Sequence, residues 1–577
     1  MAALGSPLSF FIQKAQSQKS AQKEEWLNLI HYRKTLLGKT YSIVQGNEFF
    51  LSPEGKTSPE KELEATLKKF FDGSPQDKQK YQCQFLARRD FLIEELGIDK
   101  ENLASCPEFD SWISKLGSQK VSLIFATGSL KEAASSFGHV FLKLKNPKNE
   151  GTTDLLNYGI NYAARTKDVT GALYILYGLF GYFPGTYGMA PFHHLIKQYT
   201  NMEGRDLWEY ELNLSKKEVD HLMKHMLELE HGFFDYYFLD DNCALMIAQA
   251  LDVARPGLHV SRLKKPWSLP LETVKNVVKA NIVTSKKYRA SLQTEFDFSY
   301  QNLNLKDKLA LRSVVSHQTN ADLSTASSLV LDAAQNYFSL KGSTDFDKYK
   351  NINYKLSIER SKRSDPPTPP VPTPDMNTSP DYAAGSSMIG VGRLQEKTKV
   401  SSLIKVRAAG HDLLTSPIGV IPFTELEVFS AEIKTRSKSN FPIKKFTALN
   451  ILSTRAVSLV EAPLSFGFAV KYEKNWQAPF KLGYSFDLLK QTRLMLFATG
   501  RAQDAIYGEE WFKPGYQTLL AIHFTEKLRG LISYEGFFTG HVKDNIFSGG
   551  LAWQLTKDLD VRFEKKKSSS FTLNFYF

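Results

Sequence analysis

The sequence predicts a multidomain α+β chain that closes in an antiparallel β-barrel of about twelve strands. Three observations carry this. From Lys350 onward apolar and polar residues alternate with period two almost throughout. A region of strand patterns and glycine-rich turns runs from Val121 to about Pro256, and helix-forming segments stand before and after it. At 577 residues the chain is long enough for three or four domains. The shifts in pattern divide it at 1–116, 117–260, 261–349 and 350–577.

Residues 1–116 read as helical and carry no evident chemistry. Trp26, Leu27, Leu29, Ile30 and Tyr32 make a helix face, and Ser58 with Pro59 is a cap followed by a proline at the first helical position. Residues 46–55 read as a loop or short hairpin.

Within 117–260 the informative stretch runs from Phe238 to Leu251. Asp240, Asp241 and Asn242 precede an apolar-periodic helix, so one of them is its N-cap and Cys243 lies in the first turn. The positive end of the helix dipole is expected to lower the pKa of that thiol and make it a nucleophile. The candidate base is His139, which follows Phe137-Gly138 and heads a strand of alternating residues through Lys145. Asn157 and Asn161, on a second strand, share one face by period two, and either can orient the imidazole. Arg205 precedes a strand and offers a forked donor for phosphate, or an ion pair with a nearby carboxylate. Gly171 to Tyr187 interleaves aromatics with glycines, suiting either an acyl-chain groove or a strand or hairpin with core aromatics.

Two competing sites are weaker. His221 and His225 share a helix face with zinc-like spacing, but no glutamate adjoins the first, and surface histidines are the expectation. Ser135 and Ser136 near His139 suggest a Ser-His pair without the Gly-x-Ser-x-Gly turn. No metal and no cofactor are expected.

Residues 261–349 read as connecting helices, notably 305–316 and 325–340. The barrel pattern is expected to start at Ile352, Tyr354, Leu356 and Ile358, with a proline-rich insert, Asp365 to Pro374, as an extended loop. Nine further strand segments follow: 400–409, 423–434, 464–472, 481–488, 493–499, 516–524, 530–538, 546–554 and 571–577. The last puts Phe571, Leu573, Phe575 and Phe577 on one face, like the C-terminal strand of outer-membrane barrels.

The net charge of +12 comes from dispersed lysines and arginines without a nucleic-acid-binding motif, which favours anionic envelope components over nucleic acid. No apolar run is long enough for a transmembrane helix. Met1 to Leu8 is too short for a signal peptide, so the export signal is read as missing or truncated. Cys83 and Cys106 can pair in an oxidising compartment, leaving Cys243 as the odd thiol; three unpaired thiols in a cytosolic protein is the alternative.

Four pieces also carry a resemblance: Ser135-Ser136-Phe137-Gly138-His139, Asn157-Tyr158-Gly159, Arg205-Asp206-Leu207-Trp208-Glu209-Tyr210 and Asp241-Asn242-Cys243. Over roughly Val121 to Ala254 the chain resembles the periplasmic domain of the Bacteroides-type lipoprotein N-acyltransferase. The order of His first and Cys last is similar to circularly permuted papain-like folds such as lecithin:retinol acyltransferase. The resemblance implies a permuted papain-like catalytic domain, with Cys243 as nucleophile, His139 as base and Asn157 or Asn161 as the third member. It also implies substrate contacts from Arg205, Ser135 and Tyr158. The expected function is a cysteine acyltransferase or acyl hydrolase of the envelope, acting on a membrane lipid or lipoprotein. Its barrel would lie in the outer membrane and its catalytic domain would face the periplasm. A cysteine peptidase or amidase acting on peptidoglycan peptides, or a non-catalytic outer-membrane protein, are the alternatives.

Overall fold

The computed structural model describes all residues except 1–6, 36, 130–136, 150, 167–168, 170, 263–266, 436–442, 490, 505–510 and 539–544. Two compact units emerge, one formed almost wholly by the chain up to Arg289 and the other by Ala290–Phe577.

The first unit is built on an eight-stranded sheet. Its strands run, in spatial order, Val283–Arg289, Leu207–Leu212, Lys120–Ala126, His139–Lys145, Tyr158–Ala164, Phe183–Pro191, Phe233–Tyr236 and Val44–Gln45. Every pairing is antiparallel. The central strand 120–126 is buried along almost its whole length because both of its faces are covered. Helix Cys243–Ala254 is buried nearly all round and packs on strand 139–145 and helix Lys216–Glu228. The latter starts in the expected capping box of Ser215 and Glu218. Ser58 caps helix Pro59–Phe71 through the Lys61 amide, as its sequence predicts.

The helical N-terminal residues are tied into this unit by buried polar groups. Arg88 is fully buried. It donates to Glu62 at 2.8 Å and to the Phe49 carbonyl at 2.8 Å, lies 3.5 Å from Glu228, and sits over the rings of Phe49 and Phe85. Cys83 and Cys106 form a disulfide across a sequence separation of 23, leaving Cys243 as a buried thiol. Replacing both disulfide cysteines by serine is expected to lower stability by about 3 kcal/mol, through the added freedom of the unfolded chain. Urea unfolding with and without reductant checks this.

The second unit joins a helical bundle to a closed barrel. Helices Leu305–His317 and Ser328–Gly342 fall where the pattern places them. Helix Phe346–Ser361 overturns the expected strand start at Ile352. Ile352 and Leu356 are buried while Tyr354 and Ile358 are exposed, so the real period is the four-residue repeat of one helix face. Asp345 caps that helix at the Lys348 amide.

Twelve antiparallel strands, from Met388–Glu396 to Ser569–Tyr576, close into a barrel whose first and last strands pair, Met388 opposite Tyr576. All nine expected segments fall on strands to within two residues at their ends. Three strands, Met388–Glu396, Ile443–Ser453 and Leu559–Lys565, had no such expectation. A register shift between Thr447 and Leu449 breaks the alternation of the second, and the third turns Asp560 and Arg562 inward. On the last strand Phe571, Leu573 and Phe575 are exposed, while Thr572, Asn574 and Tyr576 are buried. Apolar residues outside and polar residues inside are the arrangement of a barrel in lipid, which has no water to satisfy an open sheet edge. Among the described residues no helix is long and apolar enough to cross a membrane.

Candidate active site

The site forms where the head of strand 139–145 meets the start of helix 243–254. Gly138, with φ of +90°, makes the turn into the strand. A Cβ there would fall 2.7 Å from the Phe125 ring and 3.0 Å from the Ala126 carbonyl, so only glycine brings the chain in this close. His139 then pairs with Ala126 across the sheet.

His139 Nε2 lies 2.6 Å from Asn161 Oδ1. The amide oxygen can only accept, so Nε2 carries the hydrogen and the lone pair of the neutral ring is at Nδ1. Asn161 Nδ2 in turn donates to the Tyr199 hydroxyl at 3.3 Å, and the Tyr199 ring stacks on His139 at 5.4 Å. Tyr199 sits in a π-helical turn, Lys197–Met202. Of the two asparagines, Asn161 therefore meets the imidazole. Asn157 is buried elsewhere, accepting from the Asn146 amide and donating to the Asp154 carbonyl, where it shapes the approach to its strand.

Asn242 is the N-cap, accepting from the amides of Ala244 at 2.9 Å and Leu245 at 3.4 Å and donating to the carbonyls of Phe238 and Ser268. Asp241 instead pairs with Arg33. Around the Cys243 thiol, the Val140 amide, the Arg205 charge, the Ala244 amide and the Tyr236 hydroxyl all favour the thiolate. Val140 directly follows His139, and the helix that Cys243 starts packs on the strand that these two residues open.

The expected lowering of the thiol pKa is not what this setting produces. Cys243 is 3% exposed, and burial pushes its thiol up to about 11 despite the amide donors and the Arg205 charge. Burial and the Arg205 guanidinium push His139 down to about 4, against the Asn161 bond. The resting pair is thus a neutral thiol and a neutral imidazole, because the dipole of one helix end does not offset loss of water around a buried charge.

Arg205 is 2% exposed. It pairs with Glu203 at 2.8 Å, donates to the Ala126 carbonyl at 3.1 Å and lies over the Tyr199 ring. The ion pair that its sequence allows is formed with Glu203. Tyr158 is 37% exposed and starts the strand that carries Asn161, three residues before it. Ser135 lies outside the described residues. Residues 171–180 are helical where a strand or hairpin was the second reading, while 183–187 do lie on a strand, and Gly178 abuts the Phe238 ring just ahead of the Cys243 helix.

His225 corrects the expectation of surface histidines. It is buried, with Nε2 3.1 Å from His31 Nε2, and His31 Nδ1 is 2.9 Å from Gln249. Among the described residues no group of three or more His, Cys, Asp or Glu is placed to hold a metal. Burial lowers His31 from 6.5 to about 4. The unfolded chain therefore takes up this proton first as pH falls. Stability is unaffected above about 6.5 and is lost between 6.5 and 4, by about 3 kcal/mol for this group alone. Urea midpoints measured across that interval are expected to fall, and to fall less in His31→Gln.

Fold and site together define an outer-membrane barrel protein that carries a thiol-bearing domain on its N-terminal side. Residues 108–280 match the family described as the Lnb N-terminal periplasmic domain. Residues 18–95 and 377–574 match two families described as domains of unknown function, DUF7843 and DUF7840. Solved structures similar to this chain include the KdgM porin, at 8% identity and a TM-score of 0.22 over 33% of this chain and 99% of that one. The NanC porin matches at 10% identity and 0.22, over 33% and 98%. The Acinetobacter baumannii outer membrane protein Omp33 matches at 13% and 0.20, over 34% and 100%. No curated protein matches the chain. The periplasmic domain and the barrel place the protein in the outer membrane.

Proposed function

We propose that residues 108–280 are a cysteine acyltransferase or lipid acyl hydrolase of the envelope, on a permuted papain-like scaffold, working through an acyl-thioester on Cys243. The observation that supports this is the packing of the helix that Cys243 starts on the strand that opens with His139, whose imidazole Asn161 orients. As Sγ attacks the ester carbonyl of a membrane lipid, His139 Nδ1 takes the thiol proton. The pair starts neutral, so proton transfer accompanies attack. The amides of Val140 and Ala244 and the Tyr236 hydroxyl are donors for the oxyanion. The carbon–oxygen bond then breaks, and His139 returns the proton to the leaving alcohol. An amine, an alcohol or water, deprotonated by the same imidazole, takes the acyl group and frees the thiol.

The burial of Cys243 favours a second reading, a structural thiol in a non-catalytic outer-membrane protein. Intact mass after incubation with phospholipid separates the two. A fatty-acyl mass on wild type, absent from Cys243→Ser, supports the enzyme. No adduct and no lysolipid sinks it, and cleavage of muropeptides instead would assign the same residues to a peptidase or amidase.

A further inference from the structure

The barrel is stoppered by its own chain. The segment joining strands Lys399–His411 and Glu425–Lys434 lies at the end where the chain enters at Met388 and where the last strand finishes. It turns into the lumen. Asp412 accepts from Arg562 at 2.7 Å and from Arg407 at 3.1 Å, and the Leu414 carbonyl accepts from Arg529 at 2.9 Å. Leu413 and Phe423 join Leu452, Met495, Phe497 and Leu519 in a buried apolar layer. These partners lie on strands around the circumference, so the segment spans the lumen rather than lining one side of it.

Beyond this layer the lumen is polar. One cavity is lined by Lys445, Lys471, Lys481 and Arg501 against Glu427 and Glu535, four positive charges to two negative. Arg501 pairs with Glu535 at 2.6 Å. In the same wall Thr447 Oγ1, Thr499 Oγ1 and Arg501 Nε have no hydrogen-bond partner among the described residues, and Thr447 is only 2% exposed. Buried polar groups without partners are costly, and beside surplus cations they suit an anion that brings its own acceptors and donors.

We propose that the lumen is a blind cup, closed at the chain-entry end by residues 412–424, that binds small anions bearing a carboxylate or phosphate from the opposite end. The test uses the full-length protein in detergent, titrated calorimetrically with D-glucuronate and with inorganic phosphate, and planar-bilayer recordings of the same preparation. Saturable binding of either anion is expected, and which one binds distinguishes a carboxylated sugar from a phosphate source. Lys471→Ala with Lys481→Ala should weaken it at least about tenfold. Thr447→Val, which keeps charge and volume, should weaken it less. Wild type should pass no steady current, and Asp412→Ala, which frees the stopper, should open one. Heat-modifiable migration on gels identifies variants with intact barrels. Binding of neither anion, binding unchanged in folded variants of both kinds, or an open current from wild type would each overturn the proposal.

Discussion

Replacing His139 by alanine is expected to slow acylation of Cys243 by about 10²- to 10⁴-fold. The size follows from the resting state. A thiol pushed up to about 11 is almost wholly protonated at neutral pH, so the base must remove the proton during attack. Asn161→Ala leaves the imidazole in place but frees its tautomer and rotation, with an expected loss of about tenfold or more. The pH profile tells base loss from structural damage. In wild type the proposed mechanism requires neutral His139, whose pKa burial holds near 4, so the rate should be flat down to mildly acidic pH. In Asn161→Ala the hydrogen bond that opposes this lowering is gone, and the acid limb should move lower still. A variant that had merely lost its fold would lose rate without moving the limb. Single-turnover acylation followed by mass gives both quantities.

The second large effect is on stability. Arg88→Met strips the partner from Glu62 and Glu228 in a site without water access, and a broken buried ion pair costs about 3–5 kcal/mol. Burial already pushes the Glu228 carboxyl up to about 7. Without the guanidinium its folded-state value should rise further, so the protonated form relieves the mutant. A raised carboxyl stabilises below its unfolded value and loses that contribution as pH rises through the folded one. The deficit of Arg88→Met should therefore shrink on acidification from neutral pH, and adding Glu62→Gln and Glu228→Gln should recover much of it. Urea unfolding at several pH values checks both.

The legible parts of this protein are those whose cause is local. The Ser58 cap, the capping box of Ser215 and Glu218, and the alternating strands follow from neighbours within a few residues, and they fall where the pattern puts them. Cys243 and His139 were legible as types in suggestive settings. Their approach depends on a helix packing against a strand about a hundred residues earlier, which no window of sequence contains. Asn157 and Asn161 were equivalent by period two; what separates them is the turn that engages Asn157 at Asn146. Tyr199 and Tyr236 had no signal beyond their aromatic character, and the Val140 amide had none at all. The thiol pKa went the other way because helix position is local and burial is not. Helix Phe346–Ser361 was misread because Ile352, Tyr354, Leu356 and Ile358 satisfy both periods over so short a run, and only packing shows which residues are inside.

The pairing of Met388–Glu396 with Ser569–Tyr576 also sets an order in time. The seam cannot shut until the final strand has been made, and until then two strand edges remain to be protected. The disulfide and every residue of the thiol site come earlier in the chain. The first unit thus has a start on the barrel, and a delay in barrel assembly would leave the thiol site folded, and its disulfide made, before the chain is tied to a membrane.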